Sequence, residues 1–386
     1  MLFPILLLSA AGFTVLTTEF IIVGLLPAIA RDLDVSVSQA GLLVTLFAFT
    51  VAALGPFLTA WCGRFERKRL FVTILLLFAL ANVIAALAPN IAVMSIARLI
   101  PALGLPVFWA LASETAVDIV GPDHAGRAIA KIGFGIVCAT VFGIPVGTLI
   151  GNALGWRAAF WIIAGVALAK AVLLLVYLPR TEAKAEERSL GSQFAILRQP
   201  LMQGHVLLSI IVFCGMFTAY TYLADILERL AGFEGSVVGW CLMAFGAVGL
   251  IGNSLGGRLV DRHPLIASML FSGFMIAGLV AVVPSIHSVF GLAAALAVWG
   301  VTQAALFLVS QVRLIKAAPQ APAFAASLNI AGANLGIGLG AIVGGRVIDT
   351  LGLGSVGFAA AGFMLLSIAL AWLMMSAHRA SAAPQA

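Results

Sequence analysis

Long apolar runs alternate with short polar breaks along the whole chain. Twelve runs stand out, at about 4–30, 39–60, 70–88, 91–118, 128–153, 158–178, 204–228, 237–257, 265–284, 289–315, 323–347 and 355–377. Each holds roughly 20 residues or more, the length that crosses a bilayer core as an α-helix. The short alternating segments of a membrane β-barrel are not found. The pattern therefore predicts an all-α membrane protein with twelve transmembrane helices. The opening run MLFPILLLSAAGF continues past Glu19 to Ala30, which suits a first span better than a cleaved leader.

The polar breaks divide the chain. The longest covers about 180–203 and is densely charged from Arg180 to Arg188. It reads as a linker, 181–203, between a first half at 1–180 and a second at 204–378, with a short tail at 379–386. A surface helix is expected near Phe194–Leu197. The halves look related. Gly143, Gly147 and Gly151 recur every fourth residue in span 5, and Gly336, Gly340 and Gly344 do so in span 11. Glycines four apart share one helix face and admit a close neighbour. The basic loop Arg64–Arg69 has a counterpart in Arg258, Asp261 and Arg262. Paired six-helix halves around a central cavity are the construction of alternating-access carriers.

Composition identifies the solvent. Hydrophobic residues make up 62% and charged residues 9% of 386, against about a quarter charged in soluble domains. The 21 basic residues sort by loop. Only Arg31, Arg157, Arg229 and Arg346 fall on one side, and Arg98 and Lys170 lie inside spans. The positive-inside rule then puts both termini in the cytoplasm of an inner-membrane protein. The net charge of +6 follows from that topology, and no nucleic-acid partner is expected. Cys62, Cys138, Cys214 and Cys241 have neither CxxC spacing nor histidine partners, so no metal site and no disulfide framework is read. No P-loop is found, so ATP is not expected to drive the protein, and no cofactor is expected. No extended soluble domain offers a catalytic centre, so the chain is not read as an enzyme.

Inside the spans, charge is costly, at about 2.5–3.5 kcal/mol per residue at the bilayer centre. Glu19 lies mid-span in an apolar run and is the leading candidate for carrying protons or anchoring substrate. Its alternative is a fixed carboxyl that only bonds neighbouring helices. Arg98 is its expected partner, from roughly similar depths of 18 and 12 Å below one membrane face. Glu114 and Asp118 are expected in solvent, Lys170 snorkelling to an interface, and Asp225 at an interface. All five histidines are placed at loops or span ends. Phe20, Tyr220, Tyr222, Gln303, Asn329 and Asn334 are candidates for the cavity wall. Pro145, between Gly143 and Gly147, removes a backbone donor and bends span 5.

These residues resemble the major facilitator superfamily over essentially the whole chain, in particular its bacterial twelve-span drug:proton antiporter branch, which also holds sugar and nucleoside exporters. The resemblance is carried by TTEFIIVGLLPAIARDLDVSVSQAGLL in spans 1–2, Arg98 in span 4, GIPVG (Gly143 to Gly147), GWRAAFW (Gly155 to Trp161), FTAYTYLADIL in span 7, GGRLVDR (Gly256 to Arg262) and SLNIAGANLGIGLGAIVGG in span 11. Two positions depart from the family pattern. Gly63 and Glu66 flank Arg64 where an Asp and a Gly are usual, and Ala102 stands where span 4 usually has a glycine. The resemblance implies two pseudo-symmetric six-helix halves and proton-coupled efflux of a small organic molecule. It also implies conformational roles for Arg64, Gly143, Pro145, Gly147, Gly257, Asp261 and Arg262, and a monomer in the bilayer. An uptake symporter or uniporter of the same fold is the alternative. A membrane-embedded enzyme or receptor is a more distant one.

Overall fold

The computed structural model describes residues 2–120, 125–179, 199–319 and 322–382. Among these, twelve helices are long and apolar enough to cross a membrane. We number them α1 (Leu2–Asp32), α2 (Val37–Cys62), α3 (Arg67–Ala86), α4 (Ile91–Val120), α5, α6 (Trp156–Tyr177), α7, α8 (Gly235–Val260), α9 (Pro264–Val282), α10 (Val289–Ala317), α11 (Pro322–Leu351) and α12 (Val356–Ala382). Two are composite. Helix α5 runs Ala125–Cys138, passes through a π-turn at Ala139–Gly143 and resumes at Ile144–Leu154. Helix α7 runs Pro200–Tyr220, breaks, and continues as Leu223–Asp225 and a second π-turn at Ile226–Leu230. Every expected span falls within one of these helices, with ends shifted by a few residues. Most of the expected linker, the surface helix near Phe194–Leu197, His124 and the His378 side chain lie outside what is described.

Two compact units emerge: Met1–Glu187 with Leu223–Met243, and Arg188–Tyr222 with Ala244–Ala386. In the first, α1 packs on α2, α4, α5 and α6, and α3 packs on α4 and α6. In the second, α7 packs on α10, α11 and α12, and α9 packs on α10 and α12. All of these except α1 with α2 correspond when six is added to each helix number. The glycine stripes explain one correspondence. A Cβ at Gly143, Gly147 or Gly151 would stand within 2.3 Å of Thr17, Ile21 or Leu25 of α1. A Cβ at Gly336, Gly340 or Gly344 would stand 2.3–2.4 Å from the carbonyl oxygens of Ile210, Cys214 or Thr218 of α7. Without Cβ atoms the helices approach closely, which is how packing replaces the hydrophobic effect in lipid.

The tight corners repeat as well. Gly155 (φ 87°) joins α5 to α6 and Gly352 (φ 85°) closes α11 before α12. Both need the left-handed region that other residues enter at a cost. The π-turn in α5 sits just ahead of Pro145. Proline has no N–H to give to the carbonyl four residues back, and the ladder shifts register there, with the Ile144 N–H bonding the Ala139 carbonyl.

Candidate functional site

In the first unit, the polar residues gather on α1. Thr18 Oγ1 donates to the Thr14 carbonyl (2.9 Å) and receives the Asn82 amide of α3 (3.3 Å). Arg98 of α4 is 2% exposed. Its Nη1 donates to the Thr18 carbonyl at 2.6 Å and its Nη2 to the Glu19 carbonyl at 2.7 Å. Its guanidinium also stacks over Phe47 of α2, 4.5 Å from the ring centroid. The expected contact between Arg98 and Glu19 is therefore made through the main chain. Helical carbonyls keep a second lone pair, and a planar fork fits two in succession. The Glu19 carboxylate itself makes no ion pair or hydrogen bond with the described residues. The side chain is buried, at 8% exposure, and the Arg98 guanidinium lies close enough to act on its charge through space. Phe20 beside it is buried.

In the second unit, side chains proposed for the cavity wall form a row. Tyr220 stacks on Phe245, with centroids 5.6 Å apart and planes 26° from parallel. Phe245 meets Trp299 edge-on at 5.5 Å. Trp299 Nε1 donates to Gln303 Oε1 at 3.2 Å. This leaves the Gln303 amide N–H groups and the Tyr220 hydroxyl without a partner among the described residues. Tyr222 does not join the row. It is fully buried, its hydroxyl donates to the Ala341 carbonyl of α11 at 2.7 Å, and its ring lies over Gly344. Two residues along a helix turn the side chain by about 200°, away from Tyr220 and into the α7–α11 contact. Asn334 bonds its own helix through Nδ2 to Ile330, and its buried Oδ1 is unpartnered.

Asn329 belongs to a cluster that the sequence did not reveal. Arg313 of α10 is 1% exposed. It donates to His205 Nδ1 (2.8 Å), the His205 carbonyl (3.0 Å) and Ser209 Oγ (2.8 Å) on α7, and Ser209 donates to Asn329 Oδ1 (3.1 Å). Guanidinium only donates, so His205 accepts at Nδ1 and keeps its proton on Nε2. His205 is thus buried rather than placed at a wet helix end, because α10 covers that end of α7.

Three more expectations are corrected. Lys170 of α6 does not snorkel. Its Nζ donates to the Ala10 carbonyl and to Thr14 Oγ1 and lies over Phe13, so α1 supplies the partners an interface would have. Asp225 is not interfacial but fully buried, with Oδ2 3.3 Å from Arg229 and Oδ1 unpartnered. Asp118 is half-buried rather than in solvent. Glu114 is 39% exposed, as a solvated end would be, yet it pairs with buried Arg67 at 2.9 Å.

The loop residues lie at helix ends. Arg64 is exposed and covers Trp61 and Phe65. Asp261 pairs with Lys316 at 3.3 Å, while Arg258 and Arg262 stay exposed beside it. Gly257 packs near Leu308. Pro145 is buried, two residues from each of Gly143 and Gly147 and so turned away from the glycine face that meets α1. No group of three or more His, Cys, Asp or Glu among the described residues is arranged to hold a metal ion.

Comparison with known proteins agrees with this architecture. The chain is 32% identical over 380 residues to the inner membrane transport protein YdhP of Escherichia coli K12, covering 98% of this chain and 96% of that one. It is 31% identical over 363 residues to a probable sugar efflux transporter of Pasteurella multocida, covering 94% and 89%. Among solved structures, the D-xylose-proton symporter shares the fold at a TM-score of 0.77 and 17% identity, covering 96% of this chain and 97% of that one. The model of the Major Facilitator Superfamily matches residues 8–321 and 206–386. The chain is a twelve-span membrane transporter of small molecules, not an enzyme, and it belongs to the Major Facilitator Superfamily.

Proposed function

We propose that this carrier exports a small neutral polar solute of the sugar class across the inner membrane, driven by protons moving inward through Glu19. The reading has both termini in the cytoplasm, a monomeric carrier, and alternating access as the mechanism. The observation that carries it is the Glu19 carboxylate, which makes no direct ion pair or hydrogen bond among the described residues although the Arg98 charge acts on it through space. An acid held inside a span without a direct salt bridge is a group that can take up and release a proton. Arg98, committed to main-chain carbonyls 2.6 and 2.7 Å away, holds the helix around Glu19 without neutralising it by a direct pair. Aromatic faces suit the apolar faces of a sugar ring, and a free amide suits its hydroxyls. The row Tyr220–Phe245–Trp299–Gln303 offers both and carries no charge. The name of the Pasteurella relative points to the same class.

The test uses proteoliposomes with an imposed pH gradient and a panel of labelled sugars, nucleosides and antibiotics. A sugar should move against the proton flux, and Glu19→Gln should lose at least about tenfold of that coupled flux (about 1.4 kcal/mol or more in the barrier) while still exchanging sugar for sugar. Undiminished proton-driven export by Glu19→Gln would remove the carboxyl from the mechanism.

A further inference from the structure

A groove of about 970 Å³ opens in the second unit between α8, α9 and α10. Its walls are apolar and exposed: Ile251, Leu255, Leu270 and Phe274 are each 45–55% accessible. Between Val248 and Arg262 the groove follows α8 for roughly 20 Å, more than half of a 30 Å hydrocarbon core. Arg258 and Arg262 stand at one end. Neither takes an acid partner among the described residues, because Asp261 is held by Lys316 through its carboxylate (3.3 Å) and its carbonyl (2.6 Å).

We propose that this groove is a site for one anionic phospholipid, with an acyl chain along the apolar wall and the phosphodiester between Arg258 and Arg262. Charge complementarity fixes the class of occupant. The mouth presents two guanidinium groups four residues apart, a guanidinium fork takes phosphate oxygens two at a time, and in a bilayer the phosphates on offer are those of lipid headgroups. A polar solute does not fit the wall. Thr302 is the one polar side chain on it away from the mouth, and its hydroxyl is spent on the Val298 and Trp299 carbonyls of its own helix. The groove therefore has shape and apolar surface for a chain, and charge for a headgroup.

The test measures thermal unfolding of the full chain in detergent, titrated with phosphatidylglycerol or with phosphatidylcholine. The anionic lipid should raise Tm by at least about 3 °C more than the zwitterionic one. Arg258→Gln/Arg262→Gln should abolish the difference by removing the headgroup site. Val301→Trp should abolish it by filling the groove. Equal shifts from the two lipids in the native chain overturn the proposal, as does a difference that survives in either variant. If one variant fails to fold, the other decides. Native mass spectrometry of the same samples gives a second readout. One retained phosphatidylglycerol per native chain supports the site, and a dimer without lipid would assign the groove to a second copy instead.

Discussion

Tyr220 and Tyr222 lie two residues apart on α7 and do different work. Tyr220 is half-buried and stacks on Phe245, whereas Tyr222 is fully buried and bolts α7 to the Ala341 carbonyl of α11. The Ala341 carbonyl sits inside a helix, so losing the tyrosine bond costs about the net value of one hydrogen bond, about 1 kcal/mol. Tyr222→Phe should therefore lower stability by about that much and leave the KM for transported solute unchanged. A several-fold rise in KM at unchanged stability would put the hydroxyl in the solute path. Side chains of this kind divide by whether their partner is local. Glu19 is legible in the sequence because a lone acid in an apolar run has few explanations. His205, Lys170 and Asp225 are misread, and Arg313 is passed over, because each lies within a few turns of a helix end, where water is the default partner. Which ends another helix covers is decided by tertiary packing, as where α10 closes over His205.

Helices are far more legible, because a bilayer requires each span to bond its own backbone over about 20 apolar residues. The glycine stripes show how much further the sequence goes and where it stops. Spacing identifies the smooth face, but the facing helix and the depth of contact are not written in it. On α5 a Cβ at Gly147 meets the tip of Ile21, a side chain that can turn aside. On α11 a Cβ at Gly340 meets the backbone of Cys214 and Thr218, which cannot. Gly340→Ala should cost about 2–3 kcal/mol and Gly147→Ala about 1 kcal/mol or less, as overpacking costs depend on what can yield. Adding Ile21→Ala should recover much of the Gly147→Ala loss in thermal unfolding. Equal losses at the two glycines would mean that α7 and α1 yield alike. The π-turns at Ala139–Gly143 and Ile226–Leu230 escape sequence reading for a related reason. Pro145 signals a disturbed ladder, but whether it becomes a kink or a π-turn depends on the packing around it.

At the scale of the whole molecule, the chain's internal repeat and its compact units do not divide it at the same points. By repeat, Leu223–Met243 continues the second set of six helices, yet these residues pack within the first unit. Three of the contacts that fasten them there are specific. Arg31 of α1 pairs with Glu228, Asn152 of α5 donates to the Gly235 carbonyl at 2.6 Å, and Leu149 fills the notch at Gly239. Arg31 is 60% exposed at its side chain, and such a pair contributes only about 0–1 kcal/mol. Contacts this weak hold a segment in place and still release it, which a carrier that alternates between two arrangements requires. Cysteines at 31 and 228, in a chain whose four native cysteines are replaced by alanine, allow the segment to be tied down. A short bifunctional thiosulfonate joining them should cut solute flux at least about tenfold. It should leave solute binding intact, and a reductant should restore transport. Transport at the native rate through the cross-linked chain would mean that the Leu223–Met243 segment stays on the first unit throughout the cycle, and the moving elements would have to be sought elsewhere.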